Sequence, residues 1–168
     1  MAARDVLKNV NLFVDGKGQA GQLQEFNPPK LSLKMDEVRL GGMDGSIELE
    51  MGMEKLEVDF TLIGYDADVL ALMGLRPGAS IPLVARGVLE SFNGTTTAVA
   101  HTMRGKLKEA DPGTWKPGEA APLKAMVALT YYKLQHGDRI IHEIDVENMV
   151  RTVDGVDVLA AQRAALGI

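Results

Sequence analysis

Residues 46–62 read SIELEMGMEKLEVDFTL, and the period of two in this stretch decides the fold class. Ile47, Leu49 and Met51 alternate with Glu48 and Glu50. Beyond Gly52 to Lys55 the parity flips, and Leu56, Val58, Phe60 and Leu62 alternate with Glu57, Asp59 and Thr61. Successive side chains of a strand point to opposite faces of a sheet, so both halves read as half-buried β-strands. With a turn at residues 52–55 the halves form a hairpin in which Met51 faces Leu56, Leu49 faces Val58 and Ile47 faces Phe60. The same register sets Glu50 against Glu57 and Glu48 against Asp59. Like charges directly opposite cost roughly 0.2–1 kcal/mol per pair. The reading is a sheet with one dry face and one acidic face, and a solvated outer surface is its plainest explanation.

Working outward, turn signals bracket further short β-like runs. Asn11 to Asp15 is closed by Asp15-Gly16-Lys17-Gly18, and Leu31 to Val38 follows Pro28-Pro29 and precedes the flexible loop Gly41-Gly42-Met43-Asp44-Gly45. Asp66 is a good N-cap for a short helix carrying Val69, Leu70, Leu72 and Met73, ended by Gly74. Ile81 to Leu89 and Thr95 to Leu107 flank the turn 91–94, and Lys124 to Leu134 pairs with Arg139 to Ile144 over His136-Gly137-Asp138. Val156, Leu159, Ala160, Arg163 and Leu166 share one face of a C-terminal helix stopped by Gly167. Residues 1–168 thus form a single domain, mainly β: two packed antiparallel sheets, sandwich- or barrel-like, with a short mid-chain helix and a C-terminal helix.

Composition narrows the function. The 168 residues can bury roughly 70% of their unfolded surface. The net charge of −5 argues against nucleic acid as a bound ligand, though not as a passenger. No cysteine means no disulfide, thiolate metal site or cysteine nucleophile, in keeping with a reducing cytoplasm. No apolar run reaches the length of a signal peptide core or a membrane helix, so no membrane anchoring is expected.

Several motifs carry less chemistry than their spelling suggests. Gly16-x-Gly18-x-x-Gly21 spells a dinucleotide fingerprint, but Pro28 and Pro29 leave no room for the helix that would hold the pyrophosphate. His136 and His142, with Asp138 and Glu143, lack metal-ligand spacing, and His101 lies alone in a strand. The hairpin carboxylates are too many and too evenly spaced for a glycosidase dyad. No catalytic residue, cofactor or metal is expected. Lys124 to Tyr132 is apolar on both faces, with Ala125, Val127, Leu129 and Tyr131 on one and Met126 and Ala128 on the other; such a strand is central or covered by another subunit. Trp115 sits in the Pro-rich arm from Asp111 to Pro122, where an exposed aromatic marks partner contact. The residues themselves indicate an assembling β-protein without an active site.

Asn11-Leu12-Phe13-Val14-Asp15-Gly16, Pro29-Lys30-Leu31 and Gly41-Gly42-Met43-Asp44-Gly45 resemble the major tail tube protein of contractile-tailed temperate phages and of R-type pyocins. So do Met103-Arg104-Gly105-Lys106-Leu107-Lys108-Glu109, Asp111-Pro112-Gly113, Trp115-Lys116 and Tyr131-Tyr132-Lys133-Leu134, and finally Glu143-Ile144-Asp145-x-x-Asn148-Met149 with Asp154-Gly155-Val156-Asp157 and Leu159-Ala160. The ordered set spans nearly the whole chain; Pro28-Pro29 and Thr95-Thr96-Thr97 depart from the pattern.

The resemblance implies a non-enzymatic structural protein of the virion or tailocin particle, assembled in the bacterial cytoplasm. Six copies close a β-barrel ring, and rings stack into a hollow tube inside a sheath. Its partners would be itself, the sheath protein, and tape-measure and baseplate proteins, with DNA a transient passenger. Six copies of −5 place about −30 on each ring. On that reading Glu48, Glu50, Glu57 and Asp59 line the lumen, with the sheath-facing exterior as their rival location. Gly41, Gly42, Met43, Asp44 and Gly45 form a ring-stacking loop. Asp66, Asp68 and the C-terminal helix face the sheath. A tube component of a secretion machine or non-contractile tail, and a monomeric β-sandwich binding module, are the alternatives.

Overall fold

The computed structural model describes residues 2–168. Twelve strands and two short helices follow in the order β1 (Val6–Val14), β2 (Lys17–Gly18), β3 (Leu23–Asn27), β4 (Leu33–Val38), β5 (Ile47–Met53), β6 (Leu56–Leu62), α1 (Ala67–Ala71), β7 (Ile81–Glu90), β8 (Thr96–Asp111), β9 (Leu123–His136), β10 (Arg139–Asp145), β11 (Val150–Val153), β12 (Val156–Asp157) and α2 (Ala160–Leu166). Ten strands form one antiparallel sheet, β12-β11-β10-β9-β8-β7-β1-β2, with β6 and then β3 added on the free side of β9. β4 and β5 form a separate two-stranded sheet. The mainly β architecture with a mid-chain and a C-terminal helix is the one the sequence predicts.

β9 organises the sheet because its two halves have different neighbours. Leu123 to Leu129 pair with β6, whereas Tyr131 to His136 pair with β10; β8 runs along the opposite edge of both. The large sheet curls around a single core to which β1, β6, β7, β8, β9 and β10 each contribute, with Val69 of α1 packed against it. Leu56, Val58, Phe60 and Leu62 of β6 are all buried there. Fully burying such side chains is worth about 1.5–3 kcal/mol each, so β6 belongs in the interior.

That burial overturns the expected 46–62 hairpin. β5 pairs with β4, and β6 pairs with β3 and β9. Met51–Leu56, Leu49–Val58 and Ile47–Phe60 are not partners, nor are Glu50–Glu57 and Glu48–Asp59. Alternation specifies which residues share a face but not which strand lies alongside, and an earlier segment, Leu33–Val38, claims β5. Gly52, at φ +105°, adopts a backbone conformation disfavoured for other residues near the end of β5.

Two smaller corrections follow from turn and bulge geometry. Val156 lies in β12 rather than in the C-terminal helix, which begins only at Ala160. Asp154 and Gly155, at φ +50° and +83°, make a two-residue hairpin turn of the type that Asp-Gly favours. The register slip between Arg104 and Gly105 leaves Thr130 as an extra residue on β9, so Tyr132 rather than Tyr131 turns into the core. Elsewhere the turns are as expected. Asp15 and Gly16, at φ +49° and +80°, close the β1–β2 hairpin, so this glycine motif is a turn. Asp66 caps α1 by accepting from the backbone N–H of Asp68 at 2.8 Å.

Candidate assembly surfaces

β3, β6, the first half of β9 and the end of β8 form a four-stranded unit with two different faces. Its inner face is the core just described. Its outer face follows from the register as successive cross-strand rows: Glu25–Thr61–Lys124–Asp111, then Asn27–Asp59–Met126–Glu109, then Glu57–Ala128–Lys106. Carboxylates outnumber lysines in these rows, and no aromatic residue is among them. The acids are partly matched. Glu57 is bonded by Lys108 and lies 3.0 Å from Lys55, and these ammonium groups hold its carboxyl below the usual range. Asp59 accepts from Asn27 at 2.8 Å and lies 4.0 Å from Lys124. The surface is hydrated, anion-rich and cross-linked by charge.

Both long edges of this unit are open among the described residues. β3 pairs only with β6, and β8 beyond Gly105 pairs only with β9, because β7 stops at the Ile81–Gly105 pair. Unpaired N–H and C=O rows of this kind are templates for another strand.

The β4–β5 sheet is an arm. Directly opposite residues share a face, so Val38 and Ile47, Asp36 and Leu49, and Leu33 and Met53 lie on one side, with Glu37 and Glu48 and Met35 and Glu50 on the other. The apolar side is unpartnered: Ile47, Leu49 and Met51 are 48%, 45% and 58% exposed. Gly41 to Gly45 form the tip, where Met43 N–H donates to the Leu40 carbonyl and the Arg39 side chain to the Met43 carbonyl. One ion pair ties the arm to the body, between Arg151 of β11 and Glu50.

The four expected lumen residues therefore divide. Glu57 and Asp59 stand together on the four-stranded unit, while Glu48 and Glu50 ride on the arm. Asp66 is occupied as a helix cap, and Asp68 pairs with Lys17 at 2.7 Å. α2 buries no residue; its anchor is Arg163, which bonds Asp157 and donates to the Met149 carbonyl at 2.9 Å. His136 lies 4.0 Å from Asp5, and no cluster of metal-ligating side chains occurs among the described residues. Sequence reading missed Glu25, Lys106, Glu109 and Asp111 as companions of Glu57 and Asp59. The alternation in β8 and β9 held that signal, but only pairing aligns the rows. Nothing in the sequence singled out Arg151.

Open sheet edges and an arm whose apolar face is uncovered describe an assembling protein, and its relatives say which kind. A family model described as phage tail tube protein FII matches residues 4–167. The chain belongs to this family. It is 33% identical to the tail tube protein of Escherichia phage P2, over all of both chains. It is 30% identical to the major tail tube protein of Serratia phage KSP20, over 92% of this chain and 91% of that one. Among solved structures, the anti-feeding prophage baseplate has a chain matched at TM-score 0.44 and 13% identity, over 75% of this chain and 90% of that one. The Dit protein of phage SPP1 is matched at TM-score 0.47 and 13% identity over 75% of this chain, which spans about half, 52%, of its length.

Proposed function

We propose that six copies of this family member close into a ring through the open edges of the four-stranded unit, β3 of one copy beside the end of β8 in the next. Rings then stack into the inner tube of a contractile tail. The observation that carries this reading is the pair of free edges on a unit with one dry and one hydrated face. Closure satisfies both edges at once, which removes a standing aggregation hazard. It also turns one face wholly inward to the bore.

On this reading Glu57 and Asp59, with Glu25, Glu109 and Asp111, line the bore. Fixed carboxylates repel phosphates, and the interleaved lysines keep the wall from repelling itself apart. Without aromatic rings it offers DNA bases no stacking platform, so a genome passes without adsorbing. Glu48 and Glu50 belong to the arm, whose apolar face and Gly41–Gly45 tip reach a neighbouring copy and help rings stack. Asp66, Asp68 and α2 face outward to a sheath, and tape-measure and baseplate proteins set the ends. The particle is a virion or tailocin component assembled in the bacterial cytoplasm, and no catalytic role is assigned to it.

Electron microscopy of the purified protein tests this. Rings of six and hollow tubes are expected; a concentration-independent monomer sinks the reading. Asp59→Lys with Glu109→Lys should leave tubes intact but make them retain short duplex DNA at low salt, and failure to do so would move these residues off the bore.

A further inference from the structure

An apolar patch and a groove of mixed lining lie at opposite ends of β6. At its C-terminal end, Trp115 meets Tyr65 edge-on, with ring centroids 5.4 Å apart and planes at 84°. With Ile63 they form an exposed patch beside a shallow cleft, in which Trp115, Tyr65 and Ile63 are 69%, 53% and 52% exposed. At its N-terminal end a groove of about 1140 Å³ opens between the arm and the C-terminal segment. Met51, Leu56, Leu129, Val146, Met149 and Leu159 line it. The Leu56–Leu129 pair sits at one surface and the Leu62–Leu123 pair adjoins the other. Seven residues of strand separate them by roughly 20 Å at about 3.3 Å per residue.

We infer that the Trp115–Tyr65 knob of one copy seats in this groove of a copy in the next ring, an inference that rests on the ring-and-tube reading above. The occupant is a second copy because the two surfaces lie at opposite ends of one strand, so a chain cannot fill its own groove. Contact between unlike ends leaves a free knob and a free groove, and so propagates as a filament. The chemistry matches. The groove sets methionines and branched aliphatics, with no aromatic ring, beside charged side chains such as Glu50, Glu57, Lys108, Asp145 and Arg151, and methionine adapts its shape to aromatic faces with a favourable sulfur contact. Each rim carries both signs of charge: Lys116 and Glu119 flank the tryptophan 3.7 Å apart, and Glu54 and Lys55 flank the groove. The contact is small. A knob of two aromatics and an isoleucine falls short of the roughly 800 Å² per partner of a stable protein pair. Single chains therefore do not dimerise through it, whereas six contacts made together by two rings hold.

Trp115 is the chain's one tryptophan, so its fluorescence reads the contact directly. In wild-type protein it should be open to acrylamide in isolated rings and shielded, with blue-shifted emission, in tubes. Trp115→Ala and the groove variant Met149→Lys should each form rings but raise the concentration needed for elongation at least about thirtyfold, the loss of one hot-spot anchor. Mixed rings of the two variants should join in pairs and stop. Tubes in which Trp115 stays quenchable, shielding already complete in single rings, or unimpaired elongation of Trp115→Ala would each overturn the knob-and-groove contact while leaving ring formation standing. Wild-type protein that forms no rings would bring down the tube reading itself, and this contact with it.

Discussion

The guanidinium of Arg151 in β11 bonds the carboxylate of Glu50 in β5, joining residues 101 positions apart. The arm has no other ion pair to the body among the described residues, and the Arg151 side chain is only 15% exposed. Arg151→Ala should release the arm without unfolding the body. Pairs of this kind are worth about 0.5–1 kcal/mol. Hydrogen exchange in β4 and β5 should quicken while that of β9 stays unchanged; equal acceleration in both would show that Arg151 supports the core instead.

Gly105 faces the β9 backbone with no room to spare. A Cβ there would lie 2.1 Å from the Ala128 carbonyl oxygen. Neither backbone can move without breaking the β8–β9 ladder at its bulge. Gly105→Ala should therefore destabilise the chain by about 2 kcal/mol or more, measured by urea denaturation. A change under half that size would mean that the bulge can relax.

His101 gives the fold a pH dependence. It lies on the inner face of β8, its Nδ1 2.9 Å from the Tyr132 hydroxyl and its ring 5.9 Å from that of Phe26. Burial pushes its pKa below 6.5, and burial likewise raises the Tyr132 hydroxyl to about 12. The unfolded chain then binds the His101 proton more readily than the folded one, so its contribution to stability is full above about pH 6.5 and is lost as the pH falls toward the folded value. The melting temperature should drop through that window. His101→Gln should flatten that part of the profile, and an unchanged slope would place the dependence on another group.

The arm tip carries its own test. Deleting Gly41 to Gly45 removes the turn that lets β4 meet β5. Rings should still form, because the four-stranded unit is untouched, but tubes should be shorter and break on dilution. Tubes of wild-type length and stability would take ring stacking away from the loop.

Much of this architecture was legible in the sequence, and the failures share a cause. Period-two alternation marked β5, β6, β7 and β9, and Asp66, Asn93-Gly94 and Gly137 marked the cap and turns. What could not be read was which strands lie side by side. Residues 52–55 look like a hairpin turn between two complementary strands, yet pairing β6 alongside β9, with Phe60 and its neighbours in the core, is the better solution. The candidate surfaces suffered in the same way. Glu48 and Glu50 resemble Glu57 and Asp59 in every local respect, and only long-range pairing sends one pair to the arm and the other to the four-stranded unit. The bulge at Thr130 needs partner-strand information of the same kind.

The sharing of β9 between two sets of neighbours also dictates the order in which the molecule can be made. β1 leaves the ribosome first and meets the short β2 at once, but its long partner β7 comes much later, and β6 and β8, which already have β3 and β7 on one side, wait for β9 on the other. Until about three-quarters of the chain has emerged, the apolar face of β6 has no finished interior to enter, and that of β5 stays exposed even in the complete chain. Non-local pairings of this kind fold slowly and leave strands exposed while they wait. The alternating carboxylates of Ser46–Leu62 are then useful before any assembly exists: they keep a nascent, sticky segment dissolved until the strand that completes it arrives.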